Sequence, residues 1–293
     1  MRLALLGCGL LGGSLAAAWR RAGVVRAVTA YDRDPHSARQ ALDRGIADAV
    51  APGVAAAVDG ADCIVLATPV GAMAEVFAQL AGCVPPAALI TDVGSTKVQV
   101  IVQAQQALGP AFARFVPAHP IAGGALPGIA HASADLFAER WVITTPQPQT
   151  DPGALESIEG CWAAAGATVE RMAADEHDRI FAAISHLPHL LAFALVDLIA
   201  AQADGARKLQ FAGAGFRDFS RIAASDPVMW RDVALANRAA LGAELAAFRV
   251  QLERVQAAVD RGDGAALHAL FDRASRVRRE QRFGATLKDE YRD

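Results

Sequence analysis

Three groups of residues carry side chains suited to chemistry. His119, in His119-Pro120-Ile121-Ala122-Gly123, follows an apolar run and leads into small residues that leave its surroundings open. An imidazole titrates near neutrality, so a histidine at a strand end can take or give a proton in a reaction. Ser185-His186-Leu187-Pro188-His189 places two more imidazoles at i and i+3, which share a helix face. No matching Cys or carboxylate set accompanies them, so no metal site is expected. Gly213-Ala214-Gly215-Phe216-Arg217-Asp218-Phe219-Ser220-Arg221 holds two guanidinium groups four residues apart. They either grip carboxylates in bidentate fashion or sit solvated on a glycine-rich connection between helices.

A fourth group binds rather than reacts. Gly7-Cys8-Gly9-Leu10-Leu11-Gly12 is a G-x-G-x-x-G segment that follows a strand-like run and opens a helical one. Gly7 permits the tight turn, Gly9 lets the backbone approach a pyrophosphate, and Gly12 lets the helix pack on the strand. The helix start, at Leu10 and Leu11, offers amide N–H groups and a positive dipole end to phosphates. Asp32 lies 20 residues beyond Gly12, where a carboxylate takes the adenine ribose hydroxyls. Its charge favours NAD, and Arg33 directly after it leaves NADP as the alternative. Ala67-Thr68-Pro69 and Asp92-Val93-Gly94-Ser95 follow two further strand-like runs and are expected to line the same cleft, because ligands of open α/β sheets lie beyond the strands' carboxyl ends. Ser95 can also cap the helix that continues through Lys97.

The elements that must position these groups divide the chain in two. Apolar strand-like runs at 2–6, 26–31, 63–67, 89–93 and 115–118 alternate with helical patterns, which predicts βαβ units and a parallel sheet buried on both faces. A further strand at 140–145, a helix capped by Asp151-Pro152 and a last strand at 167–172 complete an α/β domain over residues 1–172. Residues 173–293 read as all-helical, with long helices at 175–202, 226–260 and 263–282. The chain has 293 residues, 53% hydrophobic and 20% charged, with a net charge of -3. That excludes a mainly disordered chain and argues against nucleic acid as a partner. Four cysteines without a CxxC pair point to free thiols in the cytoplasm. The first residues leave no room for a signal peptide, and no uninterrupted apolar run is long enough to span a membrane.

Taken together, GCGLLGGS, YDRD, ATPV, DVGSTK, HPIAG, DEHDRIFAAISHLPH and GAGFRDFSRIAASDPVMWRD run in order across both halves of the chain. In this the sequence resembles the prephenate and arogenate dehydrogenases of tyrosine biosynthesis. The resemblance implies a Rossmann-like dinucleotide-binding domain followed by a helical dimerisation domain, and a homodimer formed through the latter. It implies NAD-dependent oxidative decarboxylation of prephenate, with arogenate as a further substrate. It also assigns roles. His119 accepts the proton of the substrate's C4 hydroxyl, and Ser95 orients His119 near the nicotinamide. Arg221 binds a substrate carboxylate, His189 contacts the substrate side chain, and His186, Arg217 and Gly123 support the pocket. Another hydroxyacid or imine oxidoreductase, or a dinucleotide-sensing regulator without catalysis, would share the first motif but not SHLPH with FRDFSR. One departure stands out: Ala125 occupies a region where relatives carry an acidic residue that helps gate the site.

Overall fold

In the computed structural model, residues 1–124 and 126–281 are described. Ala125 and Arg282 therefore lie outside the described residues, and with them the gating position and the end of the last expected helix.

Six strands form a wholly parallel sheet in the order β3-β2-β1-β4-β5-β6: β1 (Arg2–Leu6), β2 (Ala27–Tyr31), β3 (Ala49–Val50), β4 (Cys63–Leu66), β5 (Leu89–Asp92) and β6 (Phe115–Val116). Helices α1 (Leu10–Arg21), α2 (Pro35–Asp43), α3 (Val54–Val58), α4 (Met73–Leu80) and α5 (Val98–Leu108) make the crossovers. The strands are apolar throughout because both sheet faces are covered. On β1, Leu3 and Leu5 enter one core with Trp19, Phe137 and Trp162, while Ala4 and Leu6 enter the other with Ile64, Phe77 and Phe115.

The expected strand at 115–118 is in fact two. Pro117 supplies no N–H to a ladder and ends β6. The chain then enters a second, three-stranded sheet as β7 (Ala118–Pro120), antiparallel to β8 (Trp141–Thr144), which runs parallel to β9 (Thr168–Arg171). His119 thus sits within a strand of this small sheet rather than after a strand of the large one. Helix α6 (Pro152–Ala164) joins β8 to β9, with the Asp151 carboxylate accepting from the Ala154 amide as its cap.

After β9 every described element is helical. Helix α7 (Ala174–Phe181) passes through a π-helical turn, Ala182–His186, into α8 (Leu187–Ala200). Pro188 cannot donate to the preceding turn, and the wider π turn carries the helix through that gap. The segment read as a glycine-rich connection is helical: α9 (Gly205–Gln210) is followed by α10 (Ala214–Ser220) and a 3₁₀ turn, Arg221–Ala224. The expected helix at 226–260 is broken at Asn237 into α11 (Pro227–Ala236), capped by Asp226, and α12 (Arg238–Asp260). Asn237 leaves the helical path because its side chain is committed to the Asp178 carbonyl and to His186. Helix α13 (Gly264–Glu280) closes the described chain.

Candidate active site

The turn after β1 has the geometry expected of a phosphate cradle. Gly7 has φ +106°, a left-handed conformation open to glycine, and a Cβ there would lie 2.6 Å from the Ala67 main chain. A Cβ on Gly12 would lie 2.3 Å from the Gly7 carbonyl, so helix and turn are in direct contact. A Cβ on Gly9 would point into open space, which is where a pyrophosphate approaches the start of α1. Asp32, at the end of β2, accepts from the Cys8 amide at 2.6 Å and from the Asp34 amide at 2.8 Å, so its carboxylate borders the cradle. Arg33 is exposed beside it. Ala67, Thr68 and Pro69 follow β4 against Gly7, and the Thr68 hydroxyl is buried without a protein partner. Leu10 meets the loop after β7, where a Cβ on Gly124 would touch the leucine side chain. These features fit a dinucleotide lying across the carboxyl ends of the strands. Cys8 is no nucleophile here: burial, and then the Asp32 charge, push its thiol up to about 12.

Buried titratable side chains gather where the two domains meet. The His119 Nδ1 lies 2.8 Å from the His177 Nε2, and the His177 Nδ1 lies 2.8 Å from the Asp178 Oδ1. Both His177 and Asp178 are on α7, in the helical domain. Asp178 in turn accepts from the Lys97 amide at 2.8 Å and the Val98 amide at 3.0 Å, at the first turn of α5 in the other domain. A carboxylate there satisfies two amides that a helix start leaves unpaired and meets the positive end of the helix dipole. Ser95 is therefore not the cap of α5; a residue from the second domain is.

His119 is also fixed through its backbone. Lys97 and Asp92 form a fully buried pair at 2.5 Å. The Lys97 ammonium donates to the Ala118 carbonyl at 2.7 Å, while the Asp92 Oδ1 accepts from the Ala118 amide at 3.1 Å. The pair thus grips both polar groups of the residue before His119. Phe181 packs edge-on to the His119 ring at 4.8 Å.

His186 and His189 fall on one side of the α7–α8 helix and both face Trp230, the latter stacked at 3.6 Å. Asn237 donates to the Asp178 main-chain carbonyl at 2.7 Å, so its second amide hydrogen is the one aimed at the His186 Nδ1, 3.1 Å away. The other His186 nitrogen is buried without a hydrogen-bond partner, in the neighbourhood of the Ser95 main chain. Arg221 lies close enough to His189 to act on its charge. Arg217, on α10, is exposed and donates to the Ala212 carbonyl just before that helix. Gly123 is exposed beyond β7 with open space around it.

The structure thus brings Ser95, His119, His186, His189 and Arg221 to one seam, while the Arg217 guanidinium turns back to the Ala212 carbonyl. Among the described residues no hydrogen bond joins Ser95 to His119; His177 occupies that position. His177, Asp178, Lys97, Asp92 and Asn237 are the members that the motif reading missed. A signal was present, since His177-Asp178 and Asp92 with Lys97 belong to the quoted DEHDRIFAAISHLPH and DVGSTK segments. Among the described residues no group of three or more His, Cys, Asp or Glu is placed to hold a metal ion.

Burial depresses all four imidazoles. It takes His119 well below its ordinary value, helped by the nearby His177, Lys97 and His186. It takes His186 to about 4 and outweighs the hydrogen bonds to Asp178 and Ser185 that pull His177 and His189 upward. Below pH 6.5 the unfolded chain therefore binds protons that the folded chain refuses, and stability must fall as pH drops from 6.5 toward 4. His186 alone contributes about 3 kcal/mol to that loss. The urea midpoint should be clearly lower at pH 4.5 than at pH 7; equal midpoints would contradict the buried neutral cluster.

A family model for the nucleotide-binding domain of prephenate dehydrogenase matches residues 15–171, and one for its dimerization domain matches residues 173–273. The chain belongs to the prephenate dehydrogenase family. It is 33% identical to the cyclohexadienyl dehydrogenase of Zymomonas mobilis over 278 residues, 94% of each chain. It is 34% identical to the prephenate dehydrogenase of Bacillus subtilis over 280 residues, 94% of this chain and 74% of that one. Among solved structures, prephenate dehydrogenase of A. aeolicus in complex with hydroxyphenyl propionate and NAD+ superposes with a TM-score of 0.88 at 33% identity, covering 96% of this chain and 98% of that one. The Rossmann-like sheet followed by a helical domain is the architecture of this family, and NAD is its cofactor.

Proposed function

We propose that this dehydrogenase oxidises prephenate with NAD to 4-hydroxyphenylpyruvate, CO2 and NADH, serving tyrosine biosynthesis in the cytoplasm, and that it also accepts arogenate. The observation that carries the reading is His119: a buried, neutral imidazole at the carboxyl side of the sheet, with Nδ1 committed to His177 and Nε2 left for a ligand. NAD bound on the cradle at Gly7, Gly9 and Gly12 supplies the acceptor for the hydride.

In this reading the His119 Nε2 takes the proton of the C4 hydroxyl. The oxygen's electrons form the C4 carbonyl as hydride leaves. The C1–CO2 bond then breaks, and its electron pair passes through the ring to the C4 oxygen, giving a phenolate that takes a proton back to become the phenol. Aromatisation makes this strongly downhill, so the work left to the protein is positioning and charge stabilisation. Prephenate is a dianion, and the exposed Arg221 supplies a cation in a protein that is acidic overall. His189, stacked on Trp230, faces the side chain, and His186 with Arg217 shapes the pocket. Arg221→Ala should raise the KM for prephenate on the order of 10–100-fold with a smaller change in kcat, the loss of one charge-assisted contact. An unaltered KM would remove Arg221 from the carboxylate site. Running prephenate and arogenate side by side with the purified protein tests the substrate assignment; turnover of neither would overturn it.

A homodimer through the helical domain belongs to the same proposal. The continuous helix Ala174–Ala200 is long and apolar enough to cross a membrane, and only 22% of its most apolar window is buried within one chain. Yet His177, Asp178 and His186 tie this helix to α5, β7 and Asn237 of a folded protein. Its uncovered side carries Ile184 and Leu198, and apolar side chains of α11 and α12 such as Leu235 and Val259 are exposed as well. A second copy is the cover that the match to a dimerization domain supports. Sedimentation should find twice 30.6 kDa; a species of only 30.6 kDa would refute the dimer.

A further inference from the structure

We infer that Asp178 and His177 are positioning residues that fix the tautomer of His119, so that the helical domain delivers the base with its Nε2 lone pair already facing the substrate hydroxyl. The inference rests on the reading of His119 as the base.

The proton positions follow from the hydrogen bonds one after another. Asp178 accepts two main-chain amides, at Lys97 and Val98, and contacts the His177 Nδ1 with the same oxygen that serves Lys97. Burial alone would raise its carboxyl, but the hydrogen bonds from His177 and the two amides outweigh that and hold it below the usual carboxylate value. An ionised carboxylate can only accept, so the His177 Nδ1 carries the hydrogen. His177 is neutral, which leaves its Nε2 as a lone pair. That lone pair lies 2.8 Å from the His119 Nδ1, so this nitrogen must carry the other hydrogen. His119 is neutral too, and its one remaining site, Nε2, is therefore unprotonated.

The same chain answers a difficulty. A buried imidazole is a weak base, because burial disfavours its charged form. When the His119 Nε2 takes a proton, the new imidazolium donates from Nδ1 to His177, whose ring is oriented and polarised by the Asp178 carboxylate. The protonated form is thereby stabilised by an anion two hydrogen bonds away, which offsets part of the burial cost. The charged and titratable groups facing His119 from other elements are Lys97, paired to Asp92, and His186, tied to Asn237. Neither accepts from the His119 Nδ1, so the assignment belongs to His177.

Because Asp178 also holds the first turn of α5, this hydrogen-bond chain exists only while the two domains are docked. His177→Leu removes the acceptor. His177→Gln keeps one, since a glutamine carbonyl oxygen can reach where the His177 Nε2 stands.

The test uses ¹⁵N chemical shifts of the imidazoles in the full-length protein, which distinguish Nδ1–H from Nε2–H, together with kcat and KM. Wild type should show His119 as Nδ1–H. H177L should show the Nε2–H form and lose kcat on the order of 10²-fold with little change in the KM for prephenate. H177Q should recover the Nδ1–H form and most of kcat. An Nε2–H tautomer in wild type, or an H177L protein with wild-type kcat, would overturn the proposal. If H177L does not fold, the wild-type and H177Q spectra decide. The spectra need no substrate, so a protein that shows the predicted tautomer but fails to turn over prephenate would sink the proposed reaction and leave the tautomer assignment standing.

Discussion

His119→Asn should lower kcat for prephenate on the order of 10²–10⁴-fold while leaving NAD affinity unchanged. The asparagine is close in size and can still donate toward His177, so the seam should hold. What is lost is the nitrogen proposed to accept the hydroxyl proton. The residual rate would come from binding and orientation, which this change does not touch. NAD affinity is expected to persist because Gly7, Gly9, Gly12 and Asp32 lie around β1, α1 and β2, away from the hydrogen bonds that His119 makes. Steady-state kinetics with a parallel NAD titration separates the two effects. An unchanged kcat would remove His119 from the chemistry. Lost NAD binding would mean that its role is structural.

Lys97→Met should be the most destabilising single change in the site, costing about 3–5 kcal/mol. The methionine fills similar space but leaves Asp92 as a buried charge without its cation. The Ala118 carbonyl also loses its buried donor. Both losses fall on the residue next to His119, so activity should drop even where the protein remains folded. A denaturant midpoint measured beside the double variant Asp92→Asn with Lys97→Met shows whether the cost is the unpaired charge. The double change should restore part of the stability, since the amide that replaces the carboxylate carries no charge, but not the activity. A single variant as stable as wild type would contradict the buried pair.

How much of this could be read from the sequence depended on where each feature was encoded. The cradle was legible because its parts are contiguous. Gly7 to Gly12 close one turn, and Asp32 ends the next strand in a parallel unit whose geometry is standard. The Asp151 and Asp226 caps were legible for the same reason, being local hydrogen bonds within three residues. His119 was legible as a residue type beside a strand, but its environment was not. The His119–His177 bond spans 58 residues and the Lys97–Asp178 bond spans 81, so both exist only after the domains dock. Ser95 looked like the natural cap of α5 because local capping is the common case, and a carboxylate arriving from the other domain leaves no trace in the local pattern. Asn237 interrupts an unbroken helical periodicity because its side chain is committed to Asp178 and His186. Periodicity records which face is apolar and not which side chain is spoken for.

The central claim is that hydride transfer and decarboxylation are one reaction at this seam. It is tested most directly by measuring NADH and CO2 together as the purified wild-type protein consumes prephenate. The account predicts one CO2 for each NADH, with both rates falling together in His119→Asn. NADH formed without CO2 would contradict it and would make this chain an ordinary alcohol dehydrogenase on a familiar frame.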